Sequence, residues 1–151
     1  MPSLQTPHFG VLDYQQEQVI HFAEGLPAFE DQLEFVPVEQ PTSSPIVFLQ
    51  SLISPELVFM TVPVDFIDPA YRLMAAEEDL ARLGLAPGQQ PGPSGEALVL
   101  AILTVAADRS ATVNLLAPVV INLATRQAAQ IIQSEADYSL QHPLVQPEAP
   151  C

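Results

Sequence analysis

Short runs rich in Val, Ile, Phe and Leu, separated by clusters of Pro, Gly and Ser, extend along most of the chain. This is the pattern of an antiparallel sheet or barrel rather than of alternating βα units. Strands are predicted near Phe9–Tyr14, Gln18–Phe22, Glu34–Val38, Ile46–Ile53, Leu57–Val62, Ala97–Ala106, Ala111–Leu115, Val119–Ala124 and Gln127–Gln133. Most of the sixteen prolines lie between these runs, as suits a residue that cannot donate to a sheet ladder. The longest apolar run, Ala97 to Ala107, is about half of the ~20 residues that cross a bilayer, and it reads as a buried strand. No membrane partner is expected.

One helix is predicted at Ala75–Leu83. Glu77, Glu78 and Asp79 would occupy its first turn, at the positive end of the helix dipole, and Gly84 would end it. Leu80 and Leu83, three apart, would pack one face onto the sheet while the carboxylates stay in water. Residues Ala86–Gly95 read as a Pro/Gly-rich surface loop. The expected organisation is one β domain over 9–145 with disordered ends at 1–8 and 146–151. In class it is mainly β: a compact, antiparallel, barrel-like single domain with one short helix.

Composition supports a folded globule, since 48% of the 151 residues are hydrophobic and only 15% are charged. Charge balance is the unusual feature. Four basic residues, all Arg, face eighteen Asp and Glu for a formal net charge of −14, and there is no Lys. Nucleic-acid binding draws on Lys and Arg to neutralise phosphates, so this surface would repel RNA and DNA, and no direct nucleic-acid partner is expected. The same field would steer a basic partner inward, although acidity can also serve solubility alone. The only cysteine, Cys151, allows neither an intramolecular disulfide nor a cysteine zinc site. The start MPSLQTPHFG lacks the basic and apolar regions of a signal peptide, and a cytoplasmic location is expected.

Candidate chemistry is sparse. A P-loop needs a Lys on the phosphates, and the six glycines do not form GxGxxG after a strand. His8, His21 and His142 lack the HxH or HExxH spacing that aims two imidazoles at one metal. Carboxylate pairs such as Glu30/Asp31 and Glu77/Glu78 could share a proton if buried together, but adjacent surface carboxylates ordinarily stay ionised. No GxSxG points to a nucleophile elbow. The chain reads as a binding protein, not an enzyme, with no cofactor.

EGLPAFE at Glu24–Glu30 resembles the EGLPGFE signature of the FliW family of bacterial flagellar assembly factors. In the same order follow FLQSL at Phe48–Leu52, PELVF at Pro55–Phe59, EEDL at Glu77–Leu80, ILTV at Ile102–Val105, NLLAPVVIN at Asn114–Asn122 and DYSLQHPL at Asp137–Leu144. The resemblance implies a compact β-barrel-like protein that binds newly made flagellin and the RNA-binding translational regulator CsrA. By holding CsrA it would relieve repression of flagellin translation, with flagellin competing for the same protein.

Two positions depart from the family pattern. Ala28 stands where Gly is common, and Arg72 follows Tyr71 where relatives often carry an acidic residue. Asn114 and Asn122 bracket an apolar run and are expected to satisfy backbone groups at strand ends. The expected partner-binding residues are Tyr71, Arg72, Glu77, Glu78, Asp79, Ile102 and Leu103. A small β-rich hydrolase or carbohydrate-binding domain is the alternative reading, and an acidic chaperone-like domain a third.

Overall fold

The computed structural model describes residues 3–22, 29–40, 42, 45–68, 71, 76–84, 97–105, 110–133 and, for backbone only, 142–143. The Glu24–Ala28 part of the signature, Arg72, the 86–95 loop and the 146–151 end lie outside these residues. Ten strands and two helices follow in chain order: β1 (Ser3–Thr6), β2 (Gly10–Asp13), β3 (Ile20–Phe22), β4 (Glu34–Glu39), β5 (Val47–Ser51), β6 (Val58–Pro63), α1 (Val64–Ile67), α2 (Glu77–Arg82), β7 (Ala97–Val105), β8 (Ala111–Asn122), β9 (Gln127–Gln130) and β10 (His142–Pro143).

The main sheet has the order β10-β8-β7-β6-β5-β4-β3-β9, and β9 also pairs with β8, so β3 to β9 close into a seven-stranded barrel. All contacts between neighbours in chain order are antiparallel, as expected. The closing contact is parallel, with His21 opposite Gln127 and Phe22 opposite Ala128. The reason is parity. Strands that alternate in direction around a ring of odd number must meet once with the same direction.

The barrel interior is filled by Ile20, Phe22, Phe35, Leu49, Leu100 and Ile121, with Phe22 and Phe35 edge to face at 5.4 Å. A second core lies outside the barrel, where Val64, Tyr71, Leu80 and Leu83 pack on Val99, Leu103, Val113 and Leu115. β7 therefore has both faces covered: Ala97, Val99 and Leu103 meet the outer layer while Leu98, Leu100 and Ile102 meet the barrel interior. This explains why ALVLAILTV is apolar at nearly every position rather than at alternate ones.

Beyond β10, which adds His142 and Pro143 opposite Val113 and Thr112 of β8, three features differ from the expected elements. Residues 3–6, expected to be disordered, form β1, paired with β2 from Ser3↔Asp13 to Thr6↔Gly10. The turn is closed by Thr6 Oγ1, which donates to the Gly10 carbonyl and accepts from Phe9 N–H, with Gly10 at φ 67. Phe9 seats the hairpin on Phe48 of the barrel, the rings 5.3 Å apart. Second, α1 joins α2 as a further helix; four residues are too few to show helical periodicity in a sequence. Third, the two strands expected at 111–115 and 119–124 are one long β8.

Pro37 has a role in β4. Phe35 pairs with Ile20, and the chain before β3 turns into a 3-10 turn at Gln16–Gln18, so β4 outruns β3. The missing N–H of Pro37 falls on that uncovered side, which blunts a strand edge that could otherwise pair with another chain.

Candidate functional site

The structure accounts for the NLLAPVVIN segment as framework. Val119 pairs with Leu100 and Asn114 with Ile102, so Leu115 to Pro118 all stand opposite Ala101 in an extended bulge. Such a bulge leaves backbone groups without ladder partners, and buried ones must find others. Asn114 Oδ1 accepts from the N–H of Leu116 and Ala117 at 3.1 and 2.9 Å. Tyr71 Oη donates to Leu115 O at 2.6 Å, and Gln133 Nε2 donates to Tyr71 Oη at 2.7 Å and to the Leu115 and Leu116 carbonyls. Gln130 Nε2 reaches Ala117 O, and Ile131 N–H reaches Pro118 O. Pro118 has no N–H to satisfy.

At the other end of β8, Asn122 Nδ2 donates to Leu83 O at 2.7 Å while its Oδ1 accepts from Ala124 N–H. Asn122 thus ties the end of α2 to the β8–β9 turn. Both asparagines act on backbone, as expected, although Asn114 serves a bulge inside a strand rather than a strand end. Gly84, at φ 75, reverses the chain after α2 in the left-handed conformation that glycine adopts without strain.

These contacts sort the expected partner-binding residues. Tyr71 and Leu103 lie in the outer core together, with Tyr71 tied to the bulge, so both support the layer from beneath. Ile102 is partly buried against the barrel interior, on the opposite face of β7 from Leu103. Leu80 and Leu83 bury the inner side of α2, and its outer side presents Glu77 and Glu78 to solvent. Asp79 is half-buried and pairs with Arg82 one turn later at 3.5 Å. With the Arg82 side chain open to solvent, such a pair contributes little to stability and mainly orients the two side chains. The outer face of α2 is therefore the accessible part of the expected site: an acidic turn on a helix anchored by Leu80, Leu83 and Asn122.

A second polar framework, not anticipated from the sequence, organises the β5–β6 loop. Ser51 Oγ donates to Gln32 Oε1 at 2.6 Å and accepts from the N–H of Ile53 and Ser54, while Gln32 Nε2 donates to Ser54 Oγ. The fully buried Gln50 donates through Nε2 to the carbonyls of Ser51 and Pro55. The signal was present in FLQSL, where two polar residues sit in an otherwise apolar strand and must be hydrogen-bonded if buried.

Among the described residues, no group of three or more His, Cys, Asp or Glu side chains is placed to hold a metal ion. His8 Nε2 lies 3.2 Å from Glu56 O, and His21 lies 3.6 Å from Glu34 across the β3–β4 ladder. Among the described residues, no helix is long and apolar enough to cross a membrane.

Comparison with known proteins matches the FliW protein family to residues 3–144. A flagellar assembly factor FliW of Syntrophomonas wolfei is 34% identical over 139 residues, spanning 91% of this chain and 85% of that protein. One of Desulfitobacterium hafniense is 35% identical over 147 residues, spanning 97% and 92%. A crystal structure of the flagellar assembly factor FliW has the same fold, with a TM-score of 0.82 at 26% identity, covering 98% of this chain and all of that one.

Proposed function

This chain belongs to the FliW family, and on that premise we propose that it binds flagellin and the translational regulator CsrA in the cytoplasm, coupling flagellin level to flagellin synthesis. The observation that carries this reading is the family match over nearly the whole chain, residues 3–144. The surface supports it. A protein of net charge −14 is suited to a basic partner and unsuited to RNA itself, so control of translation would pass through a protein.

Within this reading, Glu77 and Glu78 on the outer face of α2 meet the regulator, with Asp79 and Arg72 beside them in the chain. Tyr71 and Leu103 hold the layer that presents them, while Ile102 packs on the opposite face of β7. Three carboxylates in one helical turn would raise the encounter rate and supply rim contacts more than they would raise affinity. The chain acts by binding and is not an enzyme.

The test is size-exclusion chromatography of the chain mixed with flagellin, and separately with CsrA, at micromolar concentration. Co-elution near equal stoichiometry is expected in both, and flagellin should displace CsrA. Absence of both complexes overturns the reading. Replacing Glu77 and Glu78 with Lys should slow association with CsrA and flatten its salt dependence; an unchanged rate and salt slope would place the contact elsewhere.

A further inference from the structure

The β5–β6 loop and the residues ahead of β4 are tied together by side-chain hydrogen bonds, yet each exposes an apolar side chain. Ile53 is 51% exposed and Leu33 is 40% exposed. Both lie at the same end of the β4–β5 pair: Phe35 pairs with Ser51, Leu52 N–H donates to Glu34 O, and the Gln32 side chain bonds those of Ser51 and Ser54. Around them the chain is acidic, with Asp31 and Glu56 exposed and Glu34 partly so, each within three residues of Leu33 or Ile53. The loop stands where β5 ends and β8 begins, whereas Asn122, which anchors α2, stands where β8 ends. It is thus at the opposite end of the barrel from that anchor.

Two properties of the loop favour docking. Its backbone is fixed in advance by Ser51, Gln32 and Gln50, so little conformational entropy remains to be lost on binding. Its exposed apolar side chains have Asp31, Glu34 and Glu56 beside them in the chain, an acidic setting that selects what can cover them. We infer that the Leu33–Ile53 tip is a second docking surface, whose occupant is an amphipathic protein segment with apolar anchors flanked by Lys or Arg. A segment of this chain or a second copy fits poorly, because the chain has no Lys and only four Arg against eighteen acidic residues. The inference does not rest on the function proposed above.

The test uses the full chain and a fluorescently labelled amphipathic peptide of Leu and Lys, followed by anisotropy at low salt. Leu33→Ser/Ile53→Ser leaves the charge unchanged and should weaken binding by about tenfold or more. Asp31→Asn/Glu56→Gln should weaken it more than Asp13→Asn/Glu17→Gln, a change of the same net charge at exposed positions elsewhere. Amide shifts of the labelled chain should move at 31–34 and 52–57. Equal weakening by the two charge pairs would mean attraction to net charge alone and overturns the inference, as does a Leu33→Ser/Ile53→Ser chain that binds like the parent. Should that double variant not fold, Ile53→Ser alone is expected to weaken binding by about threefold, and an unchanged affinity overturns the inference equally.

Discussion

Tyr71→Phe separates a supporting residue from a contact residue. The change deletes only the hydroxyl and leaves the ring in the outer core. It removes the donation to Leu115 O at 2.6 Å and the acceptance from Gln133 Nε2 at 2.7 Å. Gln133 Nε2 still reaches Leu115 O at 3.3 Å and Leu116 O at 3.2 Å, so neither neighbour is left wholly without a partner. The expected loss is therefore about 1–2 kcal/mol, toward the lower part of the range for a buried hydrogen bond broken on one side. For a domain of this length that lowers the melting midpoint by roughly 2–8 °C. The chain has no Trp, so urea unfolding is best followed by far-UV circular dichroism. The midpoint should fall while the slope m stays constant, because the surface exposed on unfolding is the same. Partner binding by the folded variant should match the parent. A Tyr71→Phe chain with parental stability but impaired binding would refute the supporting role argued for Tyr71.

Other consequences follow from the same framework. Asn114→Ala strips the acceptor from two N–H groups in the β8 bulge and should cost about 1–3 kcal/mol in urea unfolding; a cost near zero would mean the bulge rearranges. Gly84→Ala meets Asn122 Nδ2 only at 3.6 Å, so its cost should be the backbone one alone, about 1–2 kcal/mol in thermal or chemical melts. Without a regulator, the purified chain should not shift the flagellin leader RNA in a gel at any moderate salt, and a shift by the chain alone would contradict the electrostatic argument.

Much of the architecture was legible in the chain because local apolar patterning and breakers report it directly. Eight strands were placed from runs of β-branched and aromatic residues, and α2 from its acidic first turn, its Leu80/Leu83 pair and the closing Gly84. β1 and β10 carry too little apolar signal to show in the sequence; the turn of the β1–β2 hairpin is closed locally by the Thr6 hydroxyl, and the hairpin is seated by the Phe9–Phe48 contact, which joins residues far apart in the chain. The expected partner-binding residues were only partly separable in sequence. Tyr71, Leu103 and Ile102 look alike as apolar or aromatic positions, yet the fold sends Leu103 and Ile102 to opposite faces of one strand and binds Tyr71 to a carbonyl forty-four residues away.

By itself, the sequence determined that this chain would be a β-rich globule with a strongly acidic surface and the motif order of one family, because composition, periodicity and charge are sums over local choices. Only the tertiary structure decided which apolar residues face which core, how a four-residue bulge has its backbone satisfied, and that a seven-stranded ring must close with one parallel contact. Those outcomes depend on hydrogen bonds and packing between residues distant in the chain. The same amide or hydroxyl is a surface group or a buried tie according to what the fold places opposite it.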